Sequence, residues 1–144
     1  MANSEIVKLS RVCQVGIAVK DADKVVEAWK SAFGFDKWRN ENIGGKDGKG
    51  RPWAARLVHY QFGPMDFELI QPVEGRIAQS RFLDAYGDGI HHIAFATDDL
   101  ENDLARFTEK GASIILSGKW QGGGSAYLDI GIGDIIIEIE KVGR

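Results

Sequence analysis

Residues 89–107 read GIHHIAFATDDLENDLARF, and the fold of the whole chain can be predicted outward from this stretch. Its first part alternates as a half-buried strand does. Asp98 or Asp99 is then a plausible N-cap of a helix. The apolar positions of that helix lie at i, i+4 and i+7, the spacing of one helical face: Leu100, Leu104 and Phe107. The stretch therefore predicts a strand followed directly by an amphipathic helix.

The same pattern occurs earlier in the chain. Residues 14–29, QVGIAVKDADKVVEAW, align with residues 92–107, HIAFATDDLENDLARF. Asp21, which aligns with Asp99, or Asp23 is a plausible N-cap of the earlier helix. That helix has its apolar positions at the equivalent places: Ala22, Val26 and Trp29. The chain therefore contains a weak internal repeat of a strand and a helix.

Strand-like segments follow each predicted helix. The first helix is followed by a glycine-rich loop at 42–53 and strands at 54–62 and 65–72. After the second helix, strands are predicted at 113–120, 125–130 and 134–142. Each half is thus predicted to be βαβββ. We expect one domain over 1–144, with halves at about 10–72 and 89–142 joined by a linker helix at 75–88.

Strand alternation places a set of polar side chains on one face of the predicted sheet. Successive side chains of a strand point to opposite faces. Alternation assigns apolar residues of four strands to the helix-packed face: Ile17, Leu69, Ile93, Phe95 and Ile135. The opposite face then carries four potential ligands: Gln14, Glu68, His92 and Glu138. His91, next to His92, then points to the helix-packed side.

An imidazole, two carboxylates and an amide oxygen can together bind a divalent metal ion. Mixed nitrogen and oxygen ligands suit Zn, Ni, Co or Mn. Each of these residues also has an ordinary interpretation, because strand histidines are commonly hydrogen-bonded and strand glutamates commonly solvated. Their occurrence on one face, at corresponding positions of two repeated halves, favours the metal site.

Composition restricts the classes of protein to consider. The 144 residues are 44% hydrophobic and 27% charged, with a net charge of −3. These values predict a globular protein that binds neither nucleic acid nor membrane. The single cysteine, Cys13, excludes an internal disulfide. The N-terminal residues lack the apolar core of a signal peptide, so we expect a cytoplasmic protein.

Segments across most of the chain resemble a known family. Residues 15–35, ELIQP at 68–72, GDGIHHIAFATDD at 87–99 and IIIEIEKV at 135–142 are similar to the vicinal oxygen chelate superfamily, which includes glyoxalase I, extradiol dioxygenases and bleomycin-resistance proteins. The similarity is strongest to methylmalonyl-CoA epimerase-like proteins. It implies an α+β fold of paired βαβββ modules in an open mixed sheet that encloses a cleft. It also implies a homodimer.

The resemblance implies a metal-dependent isomerase or epimerase. Its metal ligands would be Gln14, Glu68, His92 and Glu138. It would remove the proton α to a carbonyl, with the divalent ion stabilising the enolate. Glu138 is the first choice for the base, and the second proton carrier could be Glu68, His59, Tyr127 or a bound water. The substrate would be a small molecule such as an acyl-CoA or another carbonyl compound.

Two differences from the epimerases keep other functions open. Epimerases usually have histidine where this chain has Gln14, whereas glutamine occurs there in the glyoxalase I branch. The second catalytic glutamate of epimerases has no counterpart near Ala54, although Glu41 or Asp47 could enter the site from the neighbouring loop. The alternatives are a glyoxalase I-like lyase and a non-catalytic small-molecule binding protein of the bleomycin-resistance type. An extradiol dioxygenase is less compatible, because its iron site needs two histidines and a carboxylate.

Overall fold

The computed structural model describes residues 7, 9, 11–133 and 135–141. Within them lie eight strands and three helices, in the order β1 (Val12–Ala18), α1 (Ala22–Phe33), β2 (Arg39–Lys46), β3 (Pro52–Phe62), β4 (Met65–Glu74), α2 (Ala78–Tyr86), β5 (Gly89–Ala96), α3 (Leu100–Glu109), β6 (Ser113–Trp120), β7 (Gly123–Asp129) and β8 (Ile136–Lys141).

The chain divides into two compact units that repeat one topology. The first comprises Gln14–His91, and the second comprises the chain from His92 onward together with the residues up to Cys13. The strand order is β2-β3-β4-β1 in the first and β5-β8-β7-β6 in the second. In each unit the outer pairings are antiparallel, while β1 with β4 and β5 with β8 are parallel. The predicted α+β fold of paired βαβββ modules, the vicinal oxygen chelate fold, is confirmed.

The sequence also predicted how the chain is divided into a domain, two halves and a linker helix. The single domain with halves at about 10–72 and 89–142 stays a prediction, and residues 10 and 142 lie outside the described residues. The linker helix predicted at 75–88 is α2, which is shorter at both ends.

None of the helices in the described part of the chain is long and apolar enough to cross a bilayer.

The first unit packs α1 against the apolar face of its sheet. Its core consists of four buried residues, Val19, Ala22, Val58 and Leu69, with Ile17, Val26 and Trp29 against them. Trp29 also contacts Phe67 edge to face, with ring centroids 6.4 Å apart. The predicted assignment of Ile17 and Leu69 to the helix-packed face is therefore correct, and Gln14 and Glu68 take the other face.

The second unit packs α3 in the same way. Leu100, Leu128 and Ile139 are buried, and Leu104, Phe107 and Ile137 pack against them. Two residues predicted to pack in the core are exposed instead. Ile135 is 58% exposed because β8 begins only at Ile136, and Ile93 is 38% exposed despite its position in β5.

The helix ends follow the sequence signals. Asp21 accepts a hydrogen bond from the backbone N–H of Lys24 at 3.2 Å, and Asp99 accepts one from that of Asn102 at 3.2 Å. Asp21 and Asp99 are therefore the N-caps among the predicted alternatives. Gly34 ends α1 in the left-handed conformation, with φ of 74°.

The predicted loop at 42–53 is wrong over most of its length. Residues up to Lys46 belong to β2, which pairs with β3. The connection is a tight turn in which Asp47 accepts hydrogen bonds from the backbone N–H groups of Lys49 and Arg51, both at 2.9 Å. Glycine content suggested a loop, but Gly44 lies so close to the Trp53 carbonyl that an added Cβ would be 2.9 Å from that oxygen. Glycine here permits strand pairing.

Gly75 provides a test of this packing. It has a φ of 64°, and a Cβ added to it would lie 2.4 Å from the backbone oxygen of Pro52. Gly34 has a similar φ but no atom near the corresponding position. We expect Gly34→Ala to lower the free energy of unfolding by roughly 1 kcal/mol through backbone strain alone. Gly75→Ala should cost about 1–3 kcal/mol more because of the clash. Urea unfolding of both variants measures the difference, and equal losses would contradict the packing described.

Candidate functional site

Polar side chains cluster in each unit, on the sheet face opposite the helix. The first-unit cluster consists of Gln14, Glu41, His59, Asp66 and Glu68. The second-unit cluster consists of His92, Tyr127 and Glu138. Each cluster contains two of the four predicted metal ligands.

Strand register builds the first-unit cluster. Gln14 of β1 lies beside Asp66 of β4, and His59 of β3 lies opposite Glu68. Asp66 and Glu68 are two residues apart on one strand, so their side chains share a face. Pairing of β1, β3 and β4 therefore brings all four side chains together.

Gln14 is held by two carboxylates. Its Nε2 donates to Asp66 Oδ2 at 3.0 Å and to Glu68 Oε2 at 3.3 Å. Because the amide nitrogen donates to these carboxylates, Oε1 is the atom of Gln14 that could bind a cation. The orientation of the amide therefore agrees with its predicted role as a ligand.

His59 faces the same cluster. The sequence left the direction of this side chain undecided, because the apolar pattern of its strand is mixed. Its Nδ1 lies 2.8 Å from Asp66 Oδ2. Its Nε2 lies 3.4 Å from Glu41 Oε2 and 3.7 Å from Glu68 Oε2. Sequence analysis did not connect Glu41 or Asp66 with this histidine. The position of Asp66, two residues before Glu68, was a signal that could have identified it.

The second-unit cluster brings His92 and Glu138 into contact. His92 is 1% exposed and Glu138 is 6% exposed. His92 Nε2 lies 2.8 Å from Glu138 Oε2. Nevertheless, Glu138 Oε2 has no hydrogen-bond partner among the described residues, so the angle of this contact is not that of a hydrogen bond. The Tyr127 ring lies against His92, with centroids 4.7 Å apart.

This contact fits two ligands of one metal ion. Bonds of about 2.1 Å at angles of 90–110° place two ligand atoms roughly 3 Å apart, with both lone pairs directed at the ion. An imidazole nitrogen and a carboxylate oxygen are suitable ligands for Zn, Ni, Co or Mn. His92 and Glu138 therefore match their predicted role chemically. Whether all four predicted ligands bind one ion stays a prediction.

The two adjacent histidines have different surroundings, as alternation predicts. His91 Nδ1 lies 3.4 Å from Gln79 Nε2 of α2, and its ring packs edge to face against Phe82 of the same helix. His92 instead contacts Tyr127 and Glu138. The prediction that His91 points to the helix-packed side is confirmed.

Two other carboxylates, Asp47 and Asp129, have structural roles. Asp47 and Arg51 form an ion pair at 2.7 Å, and the hydrogen bonds within this turn lower the pKa of Asp47. Asp129 accepts a hydrogen bond from the backbone N–H of Gly131 at 2.7 Å. Both carboxylates therefore stabilise turns.

Cys13 lies at the edge of the second unit. Its thiol donates to the Ala94 carbonyl at 3.6 Å. Burial, together with the negative charges of Glu140 and Glu138, raises the pKa of Cys13 to about 11, although Arg11 acts in the opposite direction. The thiol is therefore neutral at physiological pH.

Comparisons with known proteins agree with this fold. Residues 13–128 match the family model of the glyoxalase/bleomycin resistance protein/dioxygenase superfamily, and the chain belongs to that superfamily. An uncharacterized protein of Bacillus subtilis (strain 168), YqjC, is 23% identical over 107 residues, which are 74% of this chain and 71% of the relative.

Solved structures of epimerases have the same fold. A variant of the Streptomyces coelicolor methylmalonyl-CoA epimerase, in complex with 2-nitronate-propionyl-CoA, has a TM-score of 0.74 at 22% identity, over 95% of this chain and 100% of that one. Methylmalonyl-CoA epimerase from Mycobacterium tuberculosis has a TM-score of 0.69 at 18% identity, over 98% of this chain and 95% of that one. At these identities the likeness establishes the fold.

The raised pKa of Cys13 predicts slow thiol chemistry. At pH 8, a pKa of about 11 leaves roughly 100-fold less thiolate than a pKa of about 9 does. We expect iodoacetamide to alkylate the native protein at least that much more slowly than the urea-unfolded chain. The same pKa difference affects stability. The neutral thiol contributes fully to the stability of the fold below about pH 8.5, the pKa of cysteine in the unfolded chain, and this contribution is lost as the pH rises toward 11. Native and unfolded rates within tenfold of each other would contradict this.

Proposed function

We propose that the protein is a metal-dependent isomerase or epimerase that removes a proton α to a carbonyl. The observation that carries the proposal is the contact between His92 Nε2 and Glu138 Oε2, two atoms of metal-binding type that lie 2.8 Å apart with no hydrogen bond between them. Membership of the superfamily supports it.

The proposed ligands are Gln14, Glu68, His92 and Glu138, and the metal is Zn, Ni, Co or Mn. The family resemblance is the reason for grouping these four residues. Gln14 and Glu68 are in contact in the first unit, and His92 and Glu138 are in contact in the second. A bound divalent ion would act as a Lewis acid toward the substrate carbonyl oxygen.

Glu138 is the proposed base. Its side chain is buried, and its Oε2 accepts no hydrogen bond from the described residues. Tyr127, opposite Glu138 in the pairing of β7 and β8, packs on His92 and limits its rotation. These contacts keep Glu138 and His92 in position without the help of a flexible loop.

Epimerisation needs a second proton carrier on the other side of the substrate carbon. The start of β3, Pro52 to Ala54, offers no carboxylate for this role. Glu68 is the proposed carrier, with Tyr127 as an alternative; both lie on the polar faces of their units. Isomerisation with return of the proton to the same side would need only Glu138.

The proposed substrate is an acyl-CoA or another small carbonyl compound. The epimerase structures of the same fold include complexes with methylmalonyl-CoA and with 2-nitronate-propionyl-CoA. Thioesters have an α-proton acidic enough for removal by a carboxylate when the oxyanion is stabilised. The homodimer and the cytoplasmic location expected from the sequence stay predictions.

A glyoxalase I-like lyase is the second candidate. The observation in its favour is Gln14, whose amide is held by Asp66 and Glu68 with the nitrogen toward the carboxylates. A glutamine at this position occurs in that branch of the superfamily. Both reactions use the same proton removal, so the substrate separates them. A non-catalytic binding protein would bind ligand without exchanging its protons.

Metal content tests the ligand set. All proteins are purified without chelator and dialysed against Zn²⁺ or Co²⁺. His92→Ala and Glu138→Gln should each then bind one metal equivalent per chain fewer than the wild type. Removal of one of only a few ligands typically abolishes stable binding. Glu74→Gln, which removes an exposed carboxylate of β4, is the control and should retain all metal. Unchanged metal content in both site variants would disprove the ligand set and favour the binding protein.

Proton exchange tests the chemistry. In D₂O, the metal-loaded protein should introduce deuterium at the α-carbon of methylmalonyl-CoA or a related acyl thioester, as measured by mass spectrometry. Glu138→Gln should slow the exchange by about 10²–10⁴-fold because it removes the base. Thioester formation from a glutathione hemithioacetal, without exchange of acyl thioesters, would instead identify the lyase. Tight binding with no exchange of either compound would show that the protein is not an enzyme of this kind.

A further inference from the structure

We propose that the first unit contains a second divalent-cation site, formed by His59, Glu41 and Glu68, with Asp66 orienting the histidine. The proposal does not depend on the function proposed above, because all four residues lie in the first unit. Only Glu68 belongs to both ligand sets.

His59 has the arrangement of a metal-binding histidine. It is 7% exposed, and its Nδ1 lies 2.8 Å from Asp66 Oδ2. An ionised carboxylate only accepts hydrogen bonds, so Nδ1 is the nitrogen that carries the proton. In the neutral ring Nε2 then has an available lone pair. A carboxylate behind the imidazole is the usual outer contact of a metal-bound histidine.

Nε2 points toward two carboxylates and makes no hydrogen bond with either. Glu41 Oε2 lies 3.4 Å from Nε2 and Glu68 Oε2 lies 3.7 Å from it. Among the described residues, this buried nitrogen has no hydrogen-bond partner, and neither has Asp66 Oδ1. Three residues, His59, Asp66 and Glu68, each offer one ligand atom, and these three atoms lie within 4.8 Å of one another. An unpaired buried nitrogen facing carboxylate oxygens is a costly arrangement unless a cation lies between them.

Charge also favours a cation. Three carboxylates surround one imidazole within the cluster. Arg56, the arginine of β3, is directed elsewhere: it forms an ion pair with Asp23 at 2.8 Å and donates to Asn40. A divalent ion would neutralise the mutual repulsion of Glu41 and Glu68.

The ligand types indicate the class of metal. One imidazole nitrogen and two carboxylate oxygens suit Zn, Co, Ni or Mn, with water in the remaining positions. Glu41 is half exposed, so the site is open to solvent on its side. The ion can therefore enter without opening of the fold. The alternative is a protonated His59 that neutralises the carboxylates itself, and the experiment separates the two.

Cobalt(II) is the probe, because its visible absorption reports coordination and its amount can be counted. We expect the wild-type chain to bind two equivalents in equilibrium dialysis. His59→Gln should bind one, His92→Ala should bind one, and the double variant none. Asp66→Asn should weaken the first-unit equivalent by about 10–100-fold, since it removes only the orienting contact. Glu41→Gln should weaken the same equivalent, and Glu74→Gln, at an exposed position of β4, is its matched control.

The outcomes separate this site from the proposed function. One equivalent that His59→Gln retains and His92→Ala loses overturns the first-unit site and leaves the proposed function intact. One equivalent that His92→Ala retains and His59→Gln loses supports the first-unit site and overturns the proposed ligand set. No bound cobalt overturns both. If His59→Gln does not fold, as judged by circular dichroism, Asp66→Asn and Glu41→Gln decide: unchanged cobalt affinity in both overturns the site.

Discussion

Parallel pairing of the first and last strand of each unit determines where the functional side chains lie. It places β1 beside β4, with Gln14 next to Asp66, and β5 beside β8, with Ala94 next to Glu138. Parallel strands need a long crossover, which the helix and the antiparallel strands of each unit supply. Because one face of each sheet packs on its helix, the polar residues of the central strands share the other face. The candidate sites follow from this arrangement.

Both clusters place a buried imidazole beside carboxylates, but the contacts differ in kind. The Nδ1 atom of His59 has a hydrogen-bonded partner in Asp66, and its Nε2 is the unpaired atom. The Nε2 atom of His92 instead lies directly against Glu138 Oε2 without hydrogen-bond geometry. At His59, the unpaired Nε2 and the carboxylate oxygens that it faces are electron-rich atoms brought together. Such an arrangement is stable only with a proton or a cation between them.

Gln14 stands where the family resemblance leads us to expect a histidine in epimerases. Its amide nitrogen donates to Asp66 and Glu68, which a histidine would do with different geometry. The start of β3 lacks a carboxylate, and His59 lies further along the same strand. The first unit thus has its polar residues further along β3 and on β1 and β4. Function has to be argued from such a site and not from the shared fold.

Short-range patterns were sufficient to predict the βαβββ repeat, both N-cap alternatives and the faces of Gln14, His91 and Leu69, because alternation and helical spacing are local properties of the chain. They failed at β2, where glycines serve close strand pairing, and at Ile135, because the strand predicted from residue 134 begins at Ile136. They also left the direction of His59 open and did not pair it with Glu41. Those contacts join β2, β3 and β4, and they depend on register between strands. Register is decided by the packing of the whole sheet on its helix, which only the tertiary structure contains.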